Sequence, residues 1–159
     1  DGMDIALCSL KLSDSSATLQ YAGANNPLWV IRKGEIIEIK ANKQPVGKYF
    51  KNEPYTTHEI QLQKEDTIYI FTDGFADQFG GEKGKKFMYK PFKELLLSIQ
   101  EKSMEEQKEI LEQHFNEWKG SLEQVDDVCV IVFRVWFFRS SCLEIIVLPF
   151  IKSFIILEN

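Results

Sequence analysis

The sequence predicts a single α+β domain in which antiparallel strands come first and helices come later. Short β-type runs separated by turn residues occupy positions 3–72, amphipathic helical patterns occupy 91–118, and one further β run lies at 128–135. Because strands and helices are segregated along the chain rather than alternating, the pattern favours packed α+β layers over a doubly wound parallel sheet.

Two hairpins are predicted at the start of the chain. Residues 3–12 alternate in a β-type run, which predicts a strand largely buried on both faces. A serine-rich turn at 13–16 separates it from a second strand at 18–22. The next pair of strands spans 27–40, with Lys33 and Gly34 as the two residues of its turn.

The middle of the chain alternates between loops and strands. Positions 42–54 are polar and contain glycine and proline, so they predict a loop. Positions 57–62 and 67–72 predict two strands, and the second of these ends at an Asp-Gly pair. Positions 75–87 are rich in glycine and predict no regular element.

Two helices are predicted after the glycine-rich region. Positions 91–100 have one apolar face, and Ser103 with Glu106 forms a capping box for a second helix that runs to Trp118 and stops at Gly120. The residues predicted to face the core are Phe92, Leu95, Leu96, Ile99, Met104, Leu111, Phe115 and Trp118.

Length and composition are those of one globular domain. The 159 residues are 44% hydrophobic and 27% charged, enough to bury a core without a metal or disulfide. The net charge of -5 argues against a nucleic-acid-binding protein. The three cysteines are odd in number and lack metal-ligand spacing, which argues against a disulfide framework or a zinc site. Two of them lie in apolar runs, which predicts small hydrophobic side chains in a reducing compartment.

Both ends of the chain carry information about its boundaries. The chain opens directly at a strand-like segment without the regions of a signal peptide, which suggests a piece of a longer protein. We assign 1–135 to a partial domain and 136–159 to a hydrophobic tail. The longest uncharged run of the tail, 145–151, is far shorter than the ~20 residues of a membrane span. A read-through sequence is favoured over a poor transmembrane helix or an extra strand, because the tail has no amphipathic period.

Carboxylate side chains at strand ends are the candidates for a functional site. Asp73 directly follows a buried-type strand, and Asp126 and Asp127 directly precede another. If these strands are antiparallel neighbours, the carboxylates converge, and a cation is then needed to neutralise them. All-oxygen ligation favours Mg²⁺ or Mn²⁺. The alternative is that Asp73 caps a turn and the other two solubilise a loop.

Three motifs together resemble the metal-dependent protein phosphatases of the protein phosphatase 2C superfamily, in their bacterial SpoIIE-like branch. The motifs are EDTIYIF followed by TDGFADQ at 65–78, YAGANNPLW at 21–29, and DDVCVI at 126–131. They lie in the family's order and cover about 3–135. The resemblance implies two packed antiparallel β-sheets flanked by helices, and hydrolysis of phosphoserine or phosphothreonine by metal-activated water.

The resemblance also assigns roles to individual residues. Asp73 and Asp126 match two metal-binding aspartates of the family, for Mn²⁺ or Mg²⁺, with two ions expected in a complete domain. Gly74, Asp77 and Asp127 match positions that support the ligands. No side chain is assigned as the nucleophile, because water takes that role.

The chain departs from the family at two places. The N-terminal strand with an acidic motif, which carries the aspartate that bridges the two metals, has no counterpart here. Asn25 also replaces the usual histidine of its turn. The chain therefore resembles the C-terminal two thirds of a phosphatase domain, and the isolated fragment is expected to be inactive.

Two functions follow from the resemblance. The first is a cytoplasmic output domain of a bacterial signalling protein, which has an upstream sensor and acts on a phosphorylated regulator of the anti-sigma-factor antagonist type. The second is a non-catalytic interaction module.

The basic run at 83–86 is interpreted as a solvated charged loop. The alternative is a mobile flap that approaches a phosphorylated substrate.

Overall fold

The computed structural model describes residues 2–13, 16–47 and 53–135, together with the backbone of 143–150. The chain divides into two units. The first contains residues 1–71 and 132–145, and the second contains 72–131 and 146–159. The remainder of the predicted tail, with Cys142, lies outside the described residues, so the tail assignment stays a prediction.

The first unit is built from β-strands. Its strands are β1 Gly2–Met3, β2 Ile5–Leu12, β3 Ala17–Ala24, β4 Leu28–Arg32, β5 Glu35–Ile39, β6 Val46–Gly47, β7 His58–Leu62 and β8 Thr67–Phe71. Two further strands, β11 Val128–Val135 and β12 Leu143–Phe150, each contribute residues to both units. The predicted strands agree with these within two residues, except that the loop predicted at 42–54 contains β6, which pairs with β1.

Two larger sheets contain most of these strands, and β1 and β6 form a separate two-stranded sheet. One has the order β2-β3-β7 and is antiparallel throughout. The other has the order β12-β11-β8-β4-β5, with β4 antiparallel to both β5 and β8. The β4–β5 hairpin turns at Lys33 and Gly34, as predicted, and both residues have the positive φ that a two-residue turn of this hand requires.

A shared hydrophobic cluster joins the two sheets of the first unit. It is formed by buried side chains of β3, β4, β7, β8 and β11: Ala17, Leu19, Tyr21, Leu28, Val30, Leu62, Ile68, Phe133 and Val135. Since residues of both sheets contribute to one core, the expectation of two packed antiparallel sheets is confirmed.

Strand β2 corrects one prediction. Only Ala6, Cys8 and Leu10 pack against the cluster, whereas Leu7 is 66% exposed and Leu12 is 55% exposed. The prediction of burial on both faces is therefore wrong. The reason is that β2 packs on the core through one face only, so the alternate side chains point away from the core.

The second unit contains the helices. They are α1 Gly74–Asp77, α2 Tyr89–Ser98 and α3 Met104–Lys119, and a hairpin of β9 Phe79–Gly80 and β10 Lys85–Lys86 lies between α1 and α2. The prediction that 75–87 holds no regular element is therefore wrong. Helix α2 begins before Pro91 because a proline in the first turn has no backbone hydrogen bond to lose.

The ends of α3 follow their predicted signals. The Glu106 N–H donates to the Ser103 hydroxyl, and the Ser103 N–H donates to the Glu106 carboxylate, which completes the capping box. This backbone hydrogen bond lowers the pKa of Glu106. At the other end, the N–H of Gly120, which has φ +54°, donates to the carbonyl of Asn116.

An aromatic cluster forms the core of the second unit. The Phe75 ring stacks on Phe92 with 4.4 Å between centroids and also contacts Phe87 and Phe115. Phe87 in turn packs edge-on against Trp118. These contacts hold the three helices and the hairpin around the buried Phe75 ring.

A buried ion pair stabilises the start of β8. The guanidinium of Arg32 donates to both carboxylate oxygens of Asp66, at 2.9 and 2.6 Å, and this hydrogen bonding raises the pKa of Arg32. The Gln63 N–H donates a third hydrogen bond to Asp66, whose side chain is almost fully buried. The carboxylate is thus well satisfied despite its burial.

We predict that Arg32→Ala lowers the free energy of unfolding by about 3 kcal/mol, because it leaves the buried Asp66 carboxylate without its cation. Urea denaturation measures the change. Lys64→Ala is the control, since Lys64 pairs with Glu65 at 3.7 Å on the surface and its loss should cost less than about 0.5 kcal/mol. Equal effects of the two substitutions would contradict the role given to the buried pair.

Candidate metal centre

The candidate site lies where β8 ends and β11 begins. At one end of this strand pair the Val135 N–H donates to the Asp66 carbonyl, and at the other end the Thr72 N–H donates to the Cys129 carbonyl. The strands are therefore antiparallel neighbours, as predicted. The segment that carries Asp73 lies beside the start of β11, which follows Asp126 and Asp127 directly.

The Thr72 side chain joins these two segments. Its hydroxyl donates to the Asp127 carbonyl at 2.8 Å and accepts from the Cys129 N–H at 2.9 Å. With its own N–H bonded to the Cys129 carbonyl, Thr72 makes three hydrogen bonds across the junction. The end of β8 is thus held in one register against the first residues of β11.

Gly74 permits the close approach of the two segments. A Cβ atom at this position would lie 2.5 Å from the Asp127 carbonyl oxygen and 3.1 Å from a methyl group of Val128. Any side chain would therefore push the Asp-Gly turn away from β11. The sequence predicted a supporting role for Gly74 through family resemblance, and the structure gives the steric reason for glycine.

The three aspartates of the junction have different surroundings. Asp73 is partly buried and precedes α1, and its carbonyl accepts from the Asp77 N–H at 2.9 Å. Asp126 is exposed, and its carboxylate accepts from the Asp127 N–H at 2.7 Å. Asp127 is also exposed and contributes its carbonyl to Thr72. The separation of the Asp73 and Asp126 carboxylates stays a prediction.

The donor set suits a hard cation but is incomplete. Carboxylate oxygens are the preferred ligands of Mg²⁺ and Mn²⁺, which take about six. Among the residues described by the structure, no group of three or more acidic, histidine or cysteine side chains is placed to hold a metal ion. The assignment of Asp73 and Asp126 as metal ligands therefore stays a prediction.

Asp77 interacts with the hairpin. Its carboxylate forms an ion pair with the Lys86 ammonium at 2.8 Å, and both side chains are partly exposed. Since Asp77 lies one helical turn after Asp73, this ion pair connects α1 to β10 close to the candidate site.

Sequence reasoning missed Gln78. Its side chain is fully buried, and its amide nitrogen donates to the carbonyls of Phe79 and Glu123 at 2.9 and 3.0 Å. Its amide oxygen accepts from the Val125 N–H. Gln78 thereby holds the loop that leads into Asp126. A single buried glutamine in a glycine-rich region has no periodic pattern that would reveal it.

The turn in the first unit has its own internal support. The Tyr21 hydroxyl donates to the Asn26 carbonyl at 2.5 Å, and a side chain at Gly23 would overlap that hydroxyl. Burial raises the pKa of Tyr21 to about 12, so the hydroxyl remains a donor at neutral pH. Asn25, which stands where the family has histidine, has φ +60° and donates its side-chain amide to Asp4.

Comparison with known proteins gave one family and several structures. Residues 2–136 match the Stage II sporulation protein E (SpoIIE) family. The SiaA-PP2C domain of Pseudomonas aeruginosa is 32% identical with a TM-score of 0.68, and the alignment covers 74% of this chain and 46% of that one. The phosphatase domain of the cell fate determinant SpoIIE from Bacillus subtilis, presoaked with Mn, is 18% identical with a TM-score of 0.61 and coverages of 87% and 59%.

These matches confirm the resemblance and the fold class. The chain spans less than two thirds of the length of either structure. No curated protein matches the chain.

We predict that Thr72→Val lowers the free energy of unfolding by about 1–3 kcal/mol, because the Asp127 carbonyl and the Cys129 N–H lose their partner while the shape is kept. Thr72→Ser retains the hydroxyl and should recover most of the loss. Urea denaturation of the three proteins measures the effect. A valine variant as stable as the wild type would contradict the role given to the hydroxyl.

Proposed function

The chain belongs to the SpoIIE family of PP2C-type phosphatases, and from that membership we propose that it is part of an enzyme that hydrolyses phosphoserine or phosphothreonine on a regulatory protein. The observation that supports this most is the junction of β8 and β11. There the Asp73 segment and the Asp126 segment are tied together by Thr72.

We propose that Asp73 and Asp126 bind a divalent cation, Mn²⁺ or Mg²⁺, with two ions in the complete domain. Asp73 and Asp126 would hold this cation, which when bound would neutralise charge on the phosphoryl group and activate water. The remaining work belongs to the chain itself. Thr72 and Gly74 set the distance between the two segments, and Asp127 contributes the carbonyl to which Thr72 is bonded.

Asp77 and Gln78 have supporting roles in this proposal. The Asp77 carboxylate, paired with Lys86, fixes the end of the helix that begins after Asp73. The Gln78 amide fixes the loop before Asp126 through Glu123 and Val125. Both carboxylate-bearing segments are thus anchored to α1, which limits how far the two ligands can move apart.

The proposed setting is a bacterial signalling pathway. We propose that the substrate is a phosphorylated regulator of the anti-sigma-factor antagonist type, and that a sensor domain lies upstream in the complete protein. Family membership and the SiaA domain, at 32% identity, support this setting.

The cytoplasm is the proposed place of action. The thiols of Cys8 and Cys129 are free, and burial raises the pKa of Cys8 to about 12, as suits an unreactive thiol in a reducing compartment. Within the described residues, none of the helices has the length and apolar character needed to cross a bilayer.

A non-catalytic interaction module is the second candidate. The observation that favours it is the incomplete ligand set: Asp73 and Asp126 are two carboxylates, and the described residues offer no third partner in a metal-binding group. A domain that never completes its ligand set retains the fold and its surfaces without hydrolysing phosphate.

We predict that the complete protein hydrolyses a phosphoserine peptide only with Mn²⁺ or Mg²⁺, and that Asp73→Asn or Asp126→Asn lowers kcat on the order of 10²-fold or more. The 159-residue chain alone should bind Mn²⁺ weakly and show little hydrolysis of para-nitrophenyl phosphate, because its ligand set is partial. Steady-state phosphate release measures both.

Glu109→Gln, on the exposed face of α3, is the matched control and should retain activity. Full activity in both aspartate variants would show that these carboxylates are structural. A complete protein that is inactive with every metal and peptide would favour the interaction module.

A further inference from the structure

The segment 79–93, which we call the basic segment, stands out in an acidic protein. It contains five lysines and one acidic residue, Glu82, whereas the whole chain has 24 acidic and 19 basic residues. It begins immediately after the buried Gln78 and consists of the β9–β10 hairpin and the first half of α2. Its charge is opposite to that of the chain as a whole.

The hairpin is firmly attached at its base. The Gly81 N–H donates to the Trp118 carbonyl at 2.8 Å, and a side chain at Gly80 would overlap that same carbonyl. The Trp118 indole donates to the Gln78 carbonyl at 3.0 Å. The hairpin therefore presents its lysines from a fixed position, which lowers the entropy lost when a partner binds.

Two lysines of the hairpin are available to a partner. Lys86 is already paired with Asp77, but within the part of the chain that the structure describes, neither Lys83 nor Lys85 has an acidic partner. Both side chains are exposed. Lys85 alternates with Lys86 along β10 and so points to the opposite face of the hairpin.

Exposed apolar side chains accompany the lysines. Phe79 is 40% exposed, Tyr89 is 39% exposed and Met88 is 56% exposed. Met88 also has φ 75° and ψ 157°, a backbone region that is almost restricted to glycine. Its conformation is maintained by a hydrogen bond from its N–H to the Ala76 carbonyl at 2.7 Å. Met88 thus places an exposed apolar side chain beside the lysines of the hairpin.

The basic segment is attached close to the candidate metal centre. Asp77, the partner of Lys86, lies one helical turn after Asp73, which is about 6 Å along a helix axis. If a substrate's phosphoryl group is held near Asp73, the residues that flank its phosphorylated residue would thus lie within reach of the hairpin.

We propose that the basic segment is the docking surface for an acidic stretch that flanks the phosphorylated residue of a protein substrate. The proposal rests on the proposed function, since it concerns the substrate of that site. Lys83 and Lys85 attract the acidic residues, and Phe79 and Met88 contact apolar side chains between them. Attachment beside Asp73 favours a substrate over a membrane surface.

The test measures binding by the complete protein, separately from turnover. Two fluorescein-labelled phosphoserine peptides are compared by anisotropy in EDTA, one with glutamates and one with glutamines around the phosphoserine. We expect tighter binding of the acidic peptide, with the difference shrinking between about 50 and about 300 mM salt. Lys83→Gln/Lys85→Gln should weaken acidic-peptide binding roughly fivefold and leave glutamine-peptide binding unchanged.

Lys11→Gln/Lys64→Gln removes the same charge from elsewhere on the surface and is the matched control. A wild type that does not distinguish the peptides, or equal losses in the two double variants, would overturn the proposal. Binding to phosphatidylcholine–phosphatidylserine vesicles that is lost in Lys83→Gln/Lys85→Gln, without an effect on peptides, would assign the segment to a membrane and also overturn it. Peptide binding that responds as expected without any Mn²⁺-dependent hydrolysis would support docking and contradict catalysis.

Met88→Gly separates binding from stability. Glycine adopts the observed backbone conformation without strain, so the melting temperature should stay the same or rise, while both peptides should bind more weakly. Binding as tight as in the wild type would contradict the apolar part of the proposal.

Discussion

A single threonine hydroxyl holds the candidate site together. Thr72 donates to the Asp127 carbonyl and accepts from the Cys129 N–H, and Gly74, lacking a side chain, allows the two backbones to approach. Every role proposed for Asp73 and Asp126 depends on this junction, because it determines the backbone positions from which the two side chains extend. The far end of the same strand pair is secured by Val135 and Asp66, so the register is defined at both ends.

Buried polar groups define the positions of the surrounding elements. Asp66 is held by Arg32 where β8 begins, and Gln78 is held by the loop at 123–125 just before Asp126 and Asp127. In both cases the polar atoms of the buried side chain have hydrogen-bond partners. A buried polar atom without a partner would lower the stability of the fold. In the second unit, the aromatic cluster around Phe75 supplies the packing, and the hydrogen bonds of Gln78 add specificity.

Local signals in the sequence predicted much of this structure. The turn at Lys33, the capping box of Ser103 and the strand after Asp127 each depend on neighbouring residues, and each was confirmed. The exposure of Leu7 and the role of Gln78 depend on which distant segment lies alongside, and periodicity holds no information about that. The prediction that 75–87 holds no regular element is wrong for the same reason. Gly80 and Gly81 lie against Trp118, where a side chain would overlap it.

The central claim is that Asp73 and Asp126 share a cation. A crystal structure of the complete protein, soaked with Mn²⁺ and measured at the manganese absorption edge, tests this most directly. The account predicts an anomalous peak within roughly 2.0–2.5 Å of a carboxylate oxygen from each aspartate, with the two carboxyl groups within about 4–6 Å of one another. A structure in which the two carboxylates face opposite sides of the β8–β11 junction, with no peak between them, would contradict it.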